Sequence, residues 1–104
     1  MNGMRAIHPG EILKDELDEL KLSANALAKA LDVPTNRITA ILNEQRGITA
    51  DTALRLSRYF GLSERFWINL QAHYDLEVEK DRLAGRLERE VRILADSPAL
   101  QAHG

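Results

Sequence analysis

The chain has 104 residues, 44% of them hydrophobic, and a formal net charge of -2; this allows one modest core with an extension and excludes a protein that coats nucleic acid by bulk positive charge. It has no cysteine, and His8, His73 and His103 lie too far apart to form a ligand motif, so disulfide scaffolds, zinc fingers and metal or other cofactors are not expected. The N-terminal segment lacks a signal-peptide core, and no window approaches the roughly 20 apolar residues that span a bilayer, which makes a cytoplasmic protein without membrane contact the expectation.

In chain order, Pro9 suits the first turn of a helix, where its missing N–H costs nothing, and Ile12, Leu13, Leu17 and Leu20 follow at helical spacing. A first helix is predicted over about Pro9 to Leu20, with five acids and one lysine between Glu11 and Leu20. Ser23 is a good N-cap for a second helix. The stretch Ala24 to Asn43, ANALAKALDVPTNRITAILN, reads as two short helices joined by a tight turn, the layout of a helix-turn-helix. Leu27, Ala28, Leu31, Val33, Ile38 and Ile41 supply its inner positions. Asp32 occupies the turn where glycine is common, and Asp enters left-handed geometry at lower cost than most residues. The third helix begins at Pro34 or Thr35. Glu44 to Gly47 breaks the pattern. Thr49 or Asp51 caps a fourth helix with Ala53, Leu54, Leu56, Ser57 and Phe60 on its apolar face, closed by Gly61.

Ser63 is read as the start of a fifth helix, whose Phe66, Trp67, Leu70 and Tyr74 pack as core against the first and fourth helices. Leu76, Leu83, Leu87, Val91 and Leu94 continue at helical spacing through a charged background. This predicts a sixth, amphipathic helix with a narrow apolar stripe, weakened at Gly85 by about 1 kcal/mol and ended by Asp96-Ser97-Pro98. No β-alternating run appears, so the fold is expected to be all-α. The expected division is a helix-turn-helix domain over 1–76, with its motif at 24–43, and a helical extension over 77–104. A stripe this regular needs a cover. It is expected either to pair two subunits or to fold back over Trp67 or Tyr74, with Phe66 and Ile68 of the fifth helix as the other pairing surface.

The third helix carries the chemistry. With Ile38, Ile41 and Leu42 inward on a wheel of about 100° per residue, Asn36, Ala40 and Asn43 point outward, flanked by Thr39 and, further round, Arg37. Thr35 lies at the end that enters the major groove in helix-turn-helix docking. Asn pairs bidentately with adenine and Arg with guanine, and Thr or Ala methyls touch the thymine methyl. Ser23 and Asn43, at helix ends, and Arg46, in the following loop, suit phosphate. From Val33 to Arg58 there are four arginines against two acids, so the basic excess surrounds this helix. An enzyme is not expected: there is no triad arrangement and no Gly-rich phosphate loop, and Glu77, Glu79 and Asp81 beside Lys80 and Arg82 read as a solvated face with i,i+4 pairing.

Four motifs in order, HPGEIL (His8 to Leu13), the helix-turn-helix, RGIT running into TALRLSRYFG (Arg46 to Gly61) and WINLQAHYDL (Trp67 to Leu76), resemble the HigA-type antitoxins of the lambda-repressor-like XRE superfamily. Asp32 and Glu44 stand where that family often has glycine. The resemblance implies a lambda-repressor-like domain of about five helices and a homodimeric repressor on a palindromic operator of its own operon. It also implies a partner, a HigB-like RNA-cleaving toxin of the RelE type. By position it carries DNA contacts to Thr35, Asn36, Arg37, Thr39 and Ala40, with Ser23, Asn43 and Arg46 toward phosphate. A stand-alone repressor without a toxin is the alternative.

Overall fold

A computed structural model describes residues 5–94. Among them the chain is all helical: α1 (Pro9–Leu20), α2 (Ala24–Leu31), α3 (Thr35–Leu42), α4 (Ala50–Phe60), α5 (Arg65–Arg82) and α6 (Arg86–Glu90). The core takes Leu13 and Leu17 from α1, Leu27, Ala28 and Leu31 from α2, Ile38 and Ile41 from α3, Ala53 and Leu56 from α4, and Trp67 from α5, closed by Ile48 of the α3–α4 loop. Burying each large side chain contributes about 1.5–3 kcal/mol. The inner positions expected of α2 and α3 are thus filled as the pattern implies.

Side-chain caps set where these helices begin. Ser23 Oγ accepts from Ala26 N–H at 3.0 Å, and Thr49 Oγ1 accepts from Thr52 N–H at 3.4 Å. At α1 the cap is His8, a role the sequence does not announce. Its Nδ1 accepts from Gly10 N–H at 2.8 Å, while the Glu11 carboxylate reaches back to His8 N–H at 3.4 Å. Left-handed residues end three of the helices: Lys21 (φ 53°), Asp32 (φ 59°) and Gly61 (φ 73°). Asp32 therefore adopts the conformation that its place in the turn demanded.

The second half departs from expectation. α5 begins at Arg65, with Glu64 as N-cap; Ser63 helps from outside by accepting the Arg65 N–H at 3.2 Å. α5 runs through residues 76 and 77 without a break, taking Leu76 into itself. The long sixth helix is not formed. Gly85 adopts φ 79°, which ends helical geometry instead of merely weakening it, and α6 is only five residues long. A spacing that keeps helical phase in sequence is thereby broken in space. Asp96-Ser97-Pro98 lies outside the described residues.

The aromatic cluster is partly core. Trp67 is buried with Phe60 and Phe66 beside it, but Phe66 is 39% exposed and Leu54 of α4 is 53% exposed. Thr52, absent from the predicted apolar face of α4, is buried instead and hydrogen bonds Thr49. Tyr74 meets the His8 ring edge-on at 4.8 Å. The described residues measure 55 × 27 × 22 Å. Along the C-terminal segment Leu76, Leu87, Val91, Ile93 and Leu94 are exposed, so the fold-back over Trp67 or Tyr74 is not adopted among the described residues.

Candidate nucleic-acid interface

The eight residues of α3 span about 12 Å, and three contacts fix the helix against its neighbours. At its N-terminal end Thr35 Oγ1 donates to Asn25 Oδ1 of α2 at 2.8 Å. In its middle Arg37 pairs with Asp51 of α4 at 2.5 Å; Asp51 also accepts from Arg55 at 3.0 Å, and Arg55 donates to the Leu31 carbonyl at the end of α2 at 2.8 Å. At its C-terminal end Gly10 of α1 packs so closely that a Cβ there would stand 2.0 Å from the Ile41 carbonyl oxygen. A network spanning α2, α3 and α4, with a glycine contact beneath, thus holds the helix as a rigid body.

Its outer side presents Asn36 and Asn43 as exposed residues, with Thr39 and Ala40 half-buried between them. Arg37 is differently placed. Its guanidinium is tied to Asp51 and its side chain is only 27% exposed. The Arg37 hydrogen bond, followed by that of Arg55, holds the Asp51 carboxyl below its ordinary range. Ser23 and Asn43, 20 positions apart in sequence, come together on one cleft together with Lys14, Ala24 and Leu42. Ser23 spends its hydroxyl on the cap of α2. Arg46 stands apart in the α3–α4 loop, exposed, two residues after Glu44, which adopts φ 62°. That loop is joined to α5 by Gln71, whose Oε1 accepts from Ile48 N–H at 2.7 Å.

Sequence reading missed Lys14, Asn25 and Gln71 as members of this surface. A lone lysine on an acidic helix and an Asn beside a capping Ser are weak signals. Gln71 gave none, since its partner is 23 residues away.

Motif, core and surface together define a helix-turn-helix domain of the lambda-repressor type, with α2 and α3 as its two helices. A helix-turn-helix family profile matches residues 13–67. Virulence-associated protein I of Dichelobacter nodosus is 60% identical over 83 residues, covering 78% of this chain and 77% of that protein. Two solved structures are similar across nearly their whole length. An addiction module antidote protein of the HigA family from Coxiella burnetii has a TM-score of 0.84 and 56% identity, covering 86% of this chain and 99% of that one. The Pseudomonas aeruginosa antitoxin HigA, solved with the higBA promoter, has a TM-score of 0.83 and 48% identity, with the same coverage of 86% and 99%. This chain belongs to the HigA branch of the helix-turn-helix family.

Among the described residues no helix is long and apolar enough to cross a membrane, and no group of three or more acidic or histidine side chains is placed to hold a metal ion.

Proposed function

We propose that the chain is a homodimeric, non-enzymatic antitoxin of the cytoplasm that reads a palindromic operator with α3, represses its own toxin–antitoxin operon and neutralises a HigB-like RNA-cleaving toxin. The observation that carries the DNA reading is the pinned α3. Asn36, Thr39, Ala40 and Asn43 stand on the outer side of a helix held by Thr35–Asn25, Arg37–Asp51 and the Gly10 contact. A preorganised helix spends no binding energy on its own ordering. In this reading Asn36 and Thr39 take base edges, and Ala40 meets a thymine methyl. Thr35 and Arg37 approach the groove from the anchored N-terminal half. Ser23 and Asn43, joined by Lys14, flank a phosphate, with the N-terminus of α2 turned to the same use, and Arg46 meets another phosphate from the loop.

Pairing follows from specificity, because one short helix reads too few base pairs alone. Leu87, Val91, Ile93 and Leu94, exposed in the single chain, form the surface we assign to the partner subunit, within the extension over 77–104. The P. aeruginosa relative, an antitoxin solved with the higBA promoter, supports the DNA-binding antitoxin part of this reading.

Asn36→Ala tests the reading. It should cost about 1–3 kcal/mol on the promoter of the chain's own gene and relax preference at one position per half-site, while random DNA is held as before. Equal loss on both duplexes would remove Asn36 from base reading. Co-expression with the product of the adjacent reading frame, scored by growth, tests the toxin: rescue of growth is expected, and no rescue leaves a stand-alone repressor.

A further inference from the structure

Gln71 lies on α5, outside the helix-turn-helix, yet it is the side chain of α5 that grips the loop carrying Arg46. Four observations converge on it. Its Oε1 accepts from Ile48 N–H at 2.7 Å, and its Nε2 donates to Asp75 Oδ1 one turn on at 3.0 Å. Asp75 thereby orients the carboxamide, with oxygen toward the loop. Gly47 makes room for the contact: a Cβ there would come within 2.8–2.9 Å of the carboxamide atoms. Finally, the loop's own backbone bonds stop at Gln45, whose N–H reaches the Ala40 carbonyl at 2.8 Å, and resume only with α4. Between those points the Ile48–Gln71 bond is the hydrogen bond the described residues provide.

Resting on the DNA reading above, we infer that Gln71 is a positioning residue for the phosphate contact of Arg46, holding the α3–α4 loop at a fixed height beside α3. The physical reason is entropic. Arg46 is exposed and has a long side chain, so its contribution to binding depends on where its backbone is held; a loop that must first be ordered forfeits part of that contribution. Ile48 is buried, so the far end of the loop is anchored in the core whatever Gln71 does. What Gln71 adds is the orientation of the peptide groups between Arg46 and Ile48.

The test is a double-mutant cycle in the full-length protein on a duplex carrying its own promoter. Gln71→Ala should weaken binding about tenfold, as loss of one charge-assisted phosphate contact would. The plot of log K against log[salt] should become less negative by about one unit per subunit. Arg46→Ala should do the same, and the double variant should be no worse than either alone. The polarity swap Gln71→Glu with Asp75→Asn, which keeps an acceptor toward Ile48 N–H and a bond to position 75, should restore both affinity and slope. Hydrogen exchange gives a readout without DNA: the Ile48 amide should lose protection in Gln71→Ala while those of Leu27 and Leu56 keep theirs. Additive effects, an unchanged salt slope in Gln71→Ala, or an Ile48 amide still protected there would each overturn the inference while leaving DNA binding intact. A wild-type chain that holds no promoter duplex would instead overturn the functional reading, and this inference with it.

Discussion

The chain from His8 to Tyr74 and the chain from Leu76 to Leu94 are built on different physics. In the first, the starts of α1, α2 and α4 are capped by side chains and the large apolar residues meet in one core. In the second, α6 has no side-chain cap, and the charges settle within their own helices: Glu77 with Lys80, Glu79 with Arg82, Glu90 with Arg86. Each such pair is solvent-exposed and screened, so it adds little. Short helices supported only this way are marginal in water. The first region therefore holds the core, whereas the second relies locally on ion pairs and leaves Leu76, Leu87, Val91, Ile93 and Leu94 exposed among the described residues.

The largest effect should come from emptying the core of the first region. Ile41→Ala, at a fully buried position under α1, should lose about 2–5 kcal/mol in urea unfolding. Leu87→Ala should lose less than about 0.5 kcal/mol under dilute, monomeric conditions. Similar losses would abolish the distinction between the two regions.

Next is the cap that joins α1 to α5. His8→Ala removes the acceptor for Gly10 N–H and the edge contact to Tyr74, about 1 kcal/mol for the cap and about 0.5–1.5 kcal/mol for the ring pair. His8→Asn keeps a short acceptor and should recover the first part only. Full recovery in His8→Asn would show that Tyr74 contributes nothing.

Removing Leu83 to Gly104 should cost the remaining domain no more than about 1 kcal/mol, because residues 83–94, the described part of that stretch, are exposed or only half-buried. Circular dichroism should keep a cooperative helical melt while light scattering falls from dimer to monomer, and operator binding should weaken greatly. A truncated protein still dimeric at micromolar concentration would move pairing to Phe66 and Ile68 of α5.

The smallest effect concerns acid. Asp51, held below the ordinary carboxylate range by Arg37 and Arg55, contributes stability that is fully present above its unfolded pKa and is lost as pH falls through the lower folded value. In Asp51→Asn that part of the acid loss should vanish, so the unfolding midpoints of variant and wild type should converge as pH falls. Parallel pH profiles would show that the ion pair makes no difference.

The first region was legible because its signals are local. Ser23, Thr49 and Gly61 act within one turn of where they stand, and Asp32 was readable as a left-handed residue from its place in the turn. The resemblance of four ordered motifs supplied the family. What escaped was non-local or ambiguous. Arg37 on a wheel faces the groove flank, and nothing in the wheel says that Asp51, 14 residues on, will hold it. His8 escaped because histidine is an uncommon N-cap, and its Nδ1 does here what Ser or Asp oxygens usually do. The long sixth helix failed because periodicity counts side chains and is blind to a backbone that turns left-handed at Gly85.

The contact of Gly10 with the Ile41 carbonyl sets a limit on variation. Position 10 sits in the first turn of a helix, where most residues are acceptable, yet any side chain there would begin 2.0 Å from a backbone oxygen, when ordinary contact starts near 3.4 Å. Backbone cannot swing aside as a long side chain can. A saturation scan scored by promoter repression should find position 10 as closed as Leu13 or Ile41, and closed even to alanine. The smallest possible change to the chain, one methyl group, would act as a wedge between α1 and the end of α3.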